Sequence, residues 1–149
     1  MNVLAIETSG PVASVAVCRD DELVAGKTCA RGMEHGRMLL PLIDEVVQQA
    51  GWRKRNDLEL VAVSIGPGSF TGLRVGLAAA RTLATFLGIP LVGVCSFDAL
   101  AHNAPQEHDR ILTALDAKRG DIYAAAYERQ AKNVLQRTIN PAVCKPGEA

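Results

Sequence analysis

Ile65-Gly66-Pro67-Gly68-Ser69-Phe70-Thr71-Gly72-Leu73-Arg74-Val75-Gly76 follows the apolar run 60–65 and opens an Ala-rich segment that reaches residue 87. A strand, a glycine-rich turn and a helix N-terminus, in that order, present backbone N–H groups to an anion. Two readings of the turn therefore stand. It is a tight strand-to-helix connection, or it is an anion site built on Gly66, Gly68, Ser69 and Thr71. The residues around it decide between them.

Working outward, residues 3–6 are a short apolar run, and Thr8-Ser9-Gly10-Pro11 is turn-forming. Residues 12–18 and 23–29 read as further strands, giving a three-stranded antiparallel meander. Over 36–50 the period becomes helical, with Leu39, Leu42, Ile43 and Val46 on one stripe that Leu40 and Val47 widen. Pro41 is expected near the first turn, and Gly51 past the end. Residues 53–57 read as a charged loop. A strand over 60–65, a helix over 71–87, a strand over 91–95 and a short helix over 97–101, capped by Ser96, complete a β-β-β-α-β-α-β-α order. Polar residues 104–109 form the expected linker. Strands over 111–115, 122–127 and 134–139 then begin a second meander. The expected domains are 1–104 and 105–149, the second an incomplete lobe. Its three-stranded sheet, marginal alone in water, is expected to be covered by the first lobe or by another chain.

The 149 residues are 48% hydrophobic and 21% charged, enough apolar content for a core and too much for disorder. Net charge is zero, so the whole chain is not drawn electrostatically to nucleic acid or anionic lipid. Cys18, Cys29, Cys95 and Cys144 are scattered without a C-x-x-C pair, the pattern of reduced packing cysteines. The opening residues carry Glu7 and no basic region, unlike a signal peptide. No apolar run approaches the roughly 20 residues of a membrane helix. These features lead to an expectation of a cytoplasmic protein with no membrane association.

The element order, a three-stranded meander followed by alternating helices and strands and then begun again, resembles the duplicated α/β fold of actin-like ATPases and ribonuclease H. Four stretches carry a closer resemblance: Leu4-Ala5-Ile6-Glu7-Thr8-Ser9, Glu34-His35-Gly36-Arg37-Met38-Leu39-Leu40-Pro41-Leu42-Ile43, the glycine block 66–76, and Leu115-Asp116-Ala117-Lys118-Arg119-Gly120-Asp121-Ile122-Tyr123. Together they resemble the TsaB (YeaZ) family over nearly the whole chain. That resemblance implies a non-catalytic scaffold or activator in the bacterial formation of N6-threonylcarbamoyladenosine (t6A) at tRNA position 37. It implies a catalytic paralogue, TsaD, as partner, a TsaE-like ATPase as auxiliary, a homodimer in isolation, and tRNA contact only through the complex. Members usually run well past residue 149, so a shortened member is expected. Glu7 stands where the family often has Asp, which keeps the carboxylate.

The chemistry of the residues supports an assisting role. The glycine turn lacks the Lys-Ser/Thr pair of a P-loop, and Gly66, Gly68 and Gly72 are one residue too widely spaced for the dinucleotide pattern. An actin-like ATPase needs a glycine-rich phosphate hairpin after its first strand. Here that hairpin holds Glu7, Thr8, Gly10 and Pro11, a single glycine followed by a stiff proline. Asp116 is placed for a second hairpin, but Lys118-Arg119-Gly120 is no recognisable phosphate loop. Glu7, Thr8 and Asp116 join Gly66, Gly68, Ser69 and Thr71 as candidate nucleotide or anion contacts. His35, His102 and His108 form no H-x-x-x-H or H-E-x-x-H pair for a metallopeptidase. Ser69 is not in a G-x-S-x-G elbow, and Ser69 or Thr71 reads better as a helix N-cap. No catalytic residue, metal ligand or cofactor is assigned.

Gly72, Gly76, Ala79 and Ala80 recur at helical spacing and leave one flank of the second helix nearly bare. A glycine inside a helix costs about 1 kcal/mol relative to alanine, so a close approach is expected there. With the wide stripe of the first helix, this suggests a helix-pair surface comprising Gly36, Leu39, Leu40, Ile43, Val47, Gly72, Val75, Gly76 and Ala79. The resemblance implies that it packs on the equivalent helices of the paralogue. Two other readings remain: a weak actin-like ATPase or small-molecule kinase, and a self-dimerising shortened paralogue.

Overall fold

Strand β1 (Asn2–Glu7) sits at the centre of a five-stranded sheet ordered β3-β2-β1-β4-β5. The structure is a computed structural model that describes residues 1–29, 35–130 and 134–147. Strands β2 (Ala13–Arg19) and β3 (Glu22–Cys29) add antiparallel on one side, with Ile6 opposite Val15. Strands β4 (Leu60–Ser64) and β5 (Leu91–Val94) add parallel on the other, with Ile6 opposite Val63. The parallel pairs need crossovers, and the helical segments supply them. Alternation along β1, β2 and β4 sends Leu4, Ile6, Val15, Val17, Val61 and Val63 to one face, all buried.

Helix α1 (His35–Gln49) covers β2 and β3, helix α3 (Phe70–Leu87) covers β4, and the two helices touch. Leu39, Ile43, Val46 and Val47 of α1 meet Ala80 and Ala84 of α3 in this core. Burial of each such aliphatic side chain contributes about 1.5–3 kcal/mol. A single turn, α2 (Lys54–Asp57), replaces the expected loop, and Asp57 accepts from its N-cap N–H, that of Arg53, at 2.6 Å. Pro41 lies inside α1 rather than in its first turn, because the helix already begins at His35. It therefore withholds one N–H from the helix ladder. Gly88 closes α3 in the left-handed region at φ 69°.

The chain divides into two compact units, one of residues 1–65 and 69–94 and one of residues 66–68 and 95–149. The division falls ahead of the 104/105 boundary read from sequence. The reason is helix α4 (Ser96–Ala101), whose Phe97 and Ala101 are buried with Ile111, Ala125 and Tyr127 of the second unit. Ser96 is the first residue of α4 and not its cap; Cys95 holds that position, without a side-chain hydrogen bond. The second sheet is ordered β6-β7-β8, with β6 (Arg110–Lys118), β7 (Asp121–Arg129) and β8 (Leu135–Cys144) antiparallel. All three strands run longer than their apolar stretches suggest, because hairpin pairing extends to the polar ends. Glu34 of the second motif lies outside the described residues, as does the side chain of His35.

Candidate functional site

The hairpin that follows β1 is occupied by the protein itself. Thr8 is fully buried and Ser9 nearly so. The Thr8 hydroxyl donates to the Gly72 carbonyl of α3 at 2.9 Å. The Thr8 N–H is directed at Ser64 Oγ at 3.4 Å, and that hydroxyl donates to Glu7 Oε1 at 3.1 Å. The Ser9 N–H donates to the same Glu7 oxygen, and the Ser69 N–H donates to the Ser9 carbonyl at 2.7 Å. The Thr8 and Ser9 N–H groups, two of the donors this turn could offer to an anion, already have acceptors from the chain. Glu7, the candidate carboxylate, acts as an internal acceptor for this turn.

Helix α3 closes over the hairpin because it lacks side chains there. A Cβ on Gly72 would stand 2.0 Å from the Thr8 carbonyl oxygen, and one on Gly76 would stand 2.2 Å from Thr8 Oγ1. Both separations are far inside contact distance. Gly72, Gly76, Ala80 and Ala84 form the buried face of α3. This corrects the reading of Gly72 and Gly76 as partner-facing, since their close approach is to the chain's own Thr8. Ile43 and Val47 are corrected likewise, being 1% and 2% exposed in the core between α1 and the sheet. Ser69 is the N-cap of α3, accepting from the Gly72 N–H at 3.3 Å; Thr71 lies within the first turn. Gly66 adopts φ 98°, a conformation that favours glycine, and its carbonyl accepts from the Ser96 N–H at 2.8 Å. Gly68 is also in the positive-φ region.

Asp116 belongs to the other unit from Glu7 and Thr8. Its carboxylate accepts from the Lys118 N–H at 2.7 Å and from Lys118 Nζ at 2.8 Å. Those bonds, the side-chain one foremost, hold its carboxyl below the usual range. Asp116 thus pins a hairpin whose Lys118 and Arg119 both have positive φ.

The described residues of the first unit leave a groove between α1 and α3 of about 530 Å³, lined mainly by apolar side chains. Gly36, Leu39, Leu40, Val75 and Ala79 of the expected surface line it, joined by Ala78, Thr82, Leu83 and Phe86. Leu40 is 56% exposed and Phe86 70%. The sequence reading missed the last four, although 75, 78, 79, 82, 83 and 86 share one side of a helix. The glycines drew the reading to the neighbouring face.

In the second unit, Asp98 accepts from Tyr127 Oη at 2.8 Å and from Arg137 Nε at 3.2 Å, with the Arg137 terminal nitrogen on both carboxylate oxygens. Burial alone would raise the Asp98 carboxyl, but the bonds from Arg137 and Tyr127 outweigh it and hold it low. Burial first, and then Asp98, push the Tyr127 hydroxyl up to about 12. His102 borders this cluster. Among the described residues no group of three His, Cys, Asp or Glu is placed to hold a metal ion, and no helix is long and apolar enough to cross a membrane.

Comparison with known proteins matches this arrangement to one family. The family model described as "TsaD: tRNA N6-adenosine threonylcarbamoyltransferase" matches residues 30–149. The tRNA threonylcarbamoyladenosine biosynthesis protein TsaB of Escherichia coli K12 is 34% identical over 98% of this chain and 63% of its own length. The protein of the same name from Bacillus subtilis 168 is 33% identical over 95% of this chain and 60% of its own. The chain therefore spans less than two thirds of these curated relatives. The solved structure of YeaZ from Pseudomonas aeruginosa superposes with a TM-score of 0.89 at 27% identity, covering 97% of this chain and 68% of that one. The fold is accordingly the actin-like α/β fold expected from the element order. With the family model covering most of the sequence and TsaB proteins similar along nearly all of it, the chain belongs to the TsaB (YeaZ) family within the TsaD-type group.

Proposed function

We propose that this chain acts as a non-catalytic scaffold or activator in forming t6A at position 37 of tRNA, by docking a catalytic TsaD-type paralogue against α1 and α3. The observation that carries the reading is the apolar groove bounded by Leu40, Val75, Ala79, Leu83 and Phe86. Exposed aromatic and aliphatic side chains around a concave apolar patch are the anatomy of a protein interface. The non-catalytic part is supported by the hairpin, whose N–H groups and carboxylate serve internal bonds. In this reading the same groove closes a homodimer when the paralogue is absent, a TsaE-like ATPase joins the complex, and tRNA is met only through it, in the cytoplasm.

The test is sedimentation of the purified chain with and without a TsaD-type protein. Heterodimer formation by the wild type and its loss in Ala79→Trp, with the circular dichroism spectrum preserved, are the expected results. A complex unaffected by Ala79→Trp would overturn the proposal. Saturable micromolar ATP binding with turnover by the chain alone would favour the weak-ATPase reading instead.

A further inference from the structure

Both faces of the second sheet are apolar. On one, Ile111, Ala125 and Tyr127 are buried with Phe97 and Ala101 of α4. On the other, the register sets Leu112, Ala126 and Ile139 in one row across β6, β7 and β8, and Ala114, Ala124 and Ala142 in the next. Ile122 and Cys144 extend the patch beside Asp116. This outer face is open, with Leu112 58% exposed and Ile139 60%.

An antiparallel sheet with one solvated face alternates apolar and polar side chains. Here residues 111–115 of β6 and 122–127 of β7 carry no charged side chain on either face, the pattern of a sheet covered twice. Charge stands only at the ends of the outer face, and it is already paired. Arg110 Nε lies 3.8 Å from Glu128 Oε1 at one end of β6, and Lys118 Nζ lies 2.8 Å from Asp116 Oδ2 at the other. The ground between them offers a phosphate backbone no cation to displace its counterions.

Size decides what fits. Three strands about 4.8 Å apart, followed over residues 110–116 at about 3.4 Å per residue, make a face about 10 Å wide and about 20 Å long. That is the footprint of one α-helix of about 13 residues, whose diameter is about 10 Å. A stable dimer buries about 800 Å² on each partner, about four times this footprint. The first unit shows the same solution within this chain. There a three-stranded meander is followed by α1, 15 residues long, which covers β2 and β3 with Leu39, Ile43, Val46 and Val47 in the core.

We propose that the outer face of β6, β7 and β8 takes an amphipathic helical segment, of the kind carried by the part of the TsaB relatives that has no counterpart here. The Escherichia coli and Bacillus subtilis proteins are matched over less than two thirds of their own length, which leaves ample chain for such a segment. The proposal is independent of the scaffold reading, because the groove belongs to the first unit.

The probes are two polypeptides, each carrying the unmatched part of one of those TsaB proteins, added to the 149-residue chain. Sedimentation is expected to show a saturable one-to-one complex with at least one of them, accompanied by a gain in helical circular dichroism. Leu112→Asp/Ile139→Asp should weaken it by about tenfold or more, while Leu40→Asp in the groove should bind as the wild type does. Absence of a complex with both probes, or a complex that the double variant holds undiminished, would overturn the proposal. So would a dimer of the chain alone that Leu112→Asp/Ile139→Asp dissolves and Leu40→Asp does not, since the face would then belong to a second copy.

Discussion

The Thr8 hydroxyl donates to the Gly72 carbonyl at 2.9 Å, and the two residues are packed so closely that no side chain fits at Gly72. This contact joins the end of β1 to the first turn of α3 across 64 residues of sequence. It decides the fate of the hairpin that would otherwise cradle a phosphate.

Substituting these glycines should impair folding, with different remedies. An added Cβ at a free helical position gains about 1 kcal/mol over glycine, whereas overpacking costs about 1–3 kcal/mol or more. Gly72→Ala and Gly76→Ala are therefore both expected to lower the urea midpoint followed by Trp52 fluorescence. Adding Thr8→Ala should partly restore Gly76→Ala, whose clash is with the Thr8 side chain. It should not restore Gly72→Ala, whose clash is with the Thr8 backbone. Equal rescue of both would contradict the packing described.

The groove should be sensitive to charge without affecting the fold. Leu40 is exposed on α1 and lines the groove. Leu40→Asp is expected to leave the free energy of unfolding within about 0.5 kcal/mol of wild type, as for surface changes generally. The same variant should weaken association with the TsaD-type protein by roughly tenfold or more, read by analytical ultracentrifugation.

The hairpin should not take nucleotide. Calorimetric titration of the chain with ATP and magnesium is expected to give no saturable heat in the micromolar range, because the Thr8 and Ser9 N–H groups are already directed at Ser64 and Glu7. Micromolar binding abolished by Glu7→Gln would show that this turn opens.

Acid and base should act oppositely on the second unit. The Asp98 carboxyl is held below its ordinary value in the folded state, so its contribution is present above about pH 4 and is lost as pH falls through the lowered value. Tyr127 is pushed up to about 12, so its contribution is present below the ordinary tyrosine range and is lost as pH rises towards that value. Asp98→Asn should therefore destabilise at neutral pH, with the deficit narrowing below about pH 4. Tyr123 and Tyr127 are the only tyrosines and both lie in this unit, so tyrosine fluorescence follows it while Trp52 follows the first.

Most strands and the long helices were legible because their periodicities are strong and glycine or proline punctuates them, as at Gly51, Gly88 and Pro90. The turn α2 escaped notice because four polar residues carry no apolar period, and its N-terminal contact is a bond between Arg53 and Asp57. The full lengths of β6, β7 and β8 escaped because pairing, rather than side-chain pattern, extends them. The groove is half legible: Leu40, Val75 and Ala79 follow from the apolar and small-residue pattern, whereas Leu83 and Phe86 lie beside the more conspicuous glycine face.

Local sequence dictates the order of the main strands and long helices, the family motifs, an N-cap at Ser69 or Thr71 and a small-residue face on α3. These depend on local spacing and on backbone chemistry. Which way that face turns is set by long-range packing. Gly72 and Gly76 could meet a partner helix or the chain's own β1 turn with the same helical spacing. The choice is made by Thr8, distant in sequence, whose burial fills the space the glycines leave, while the Thr8 and Ser9 N–H groups are directed at Ser64 and Glu7. The adjoining apolar side of α3 is thereby left as the open surface.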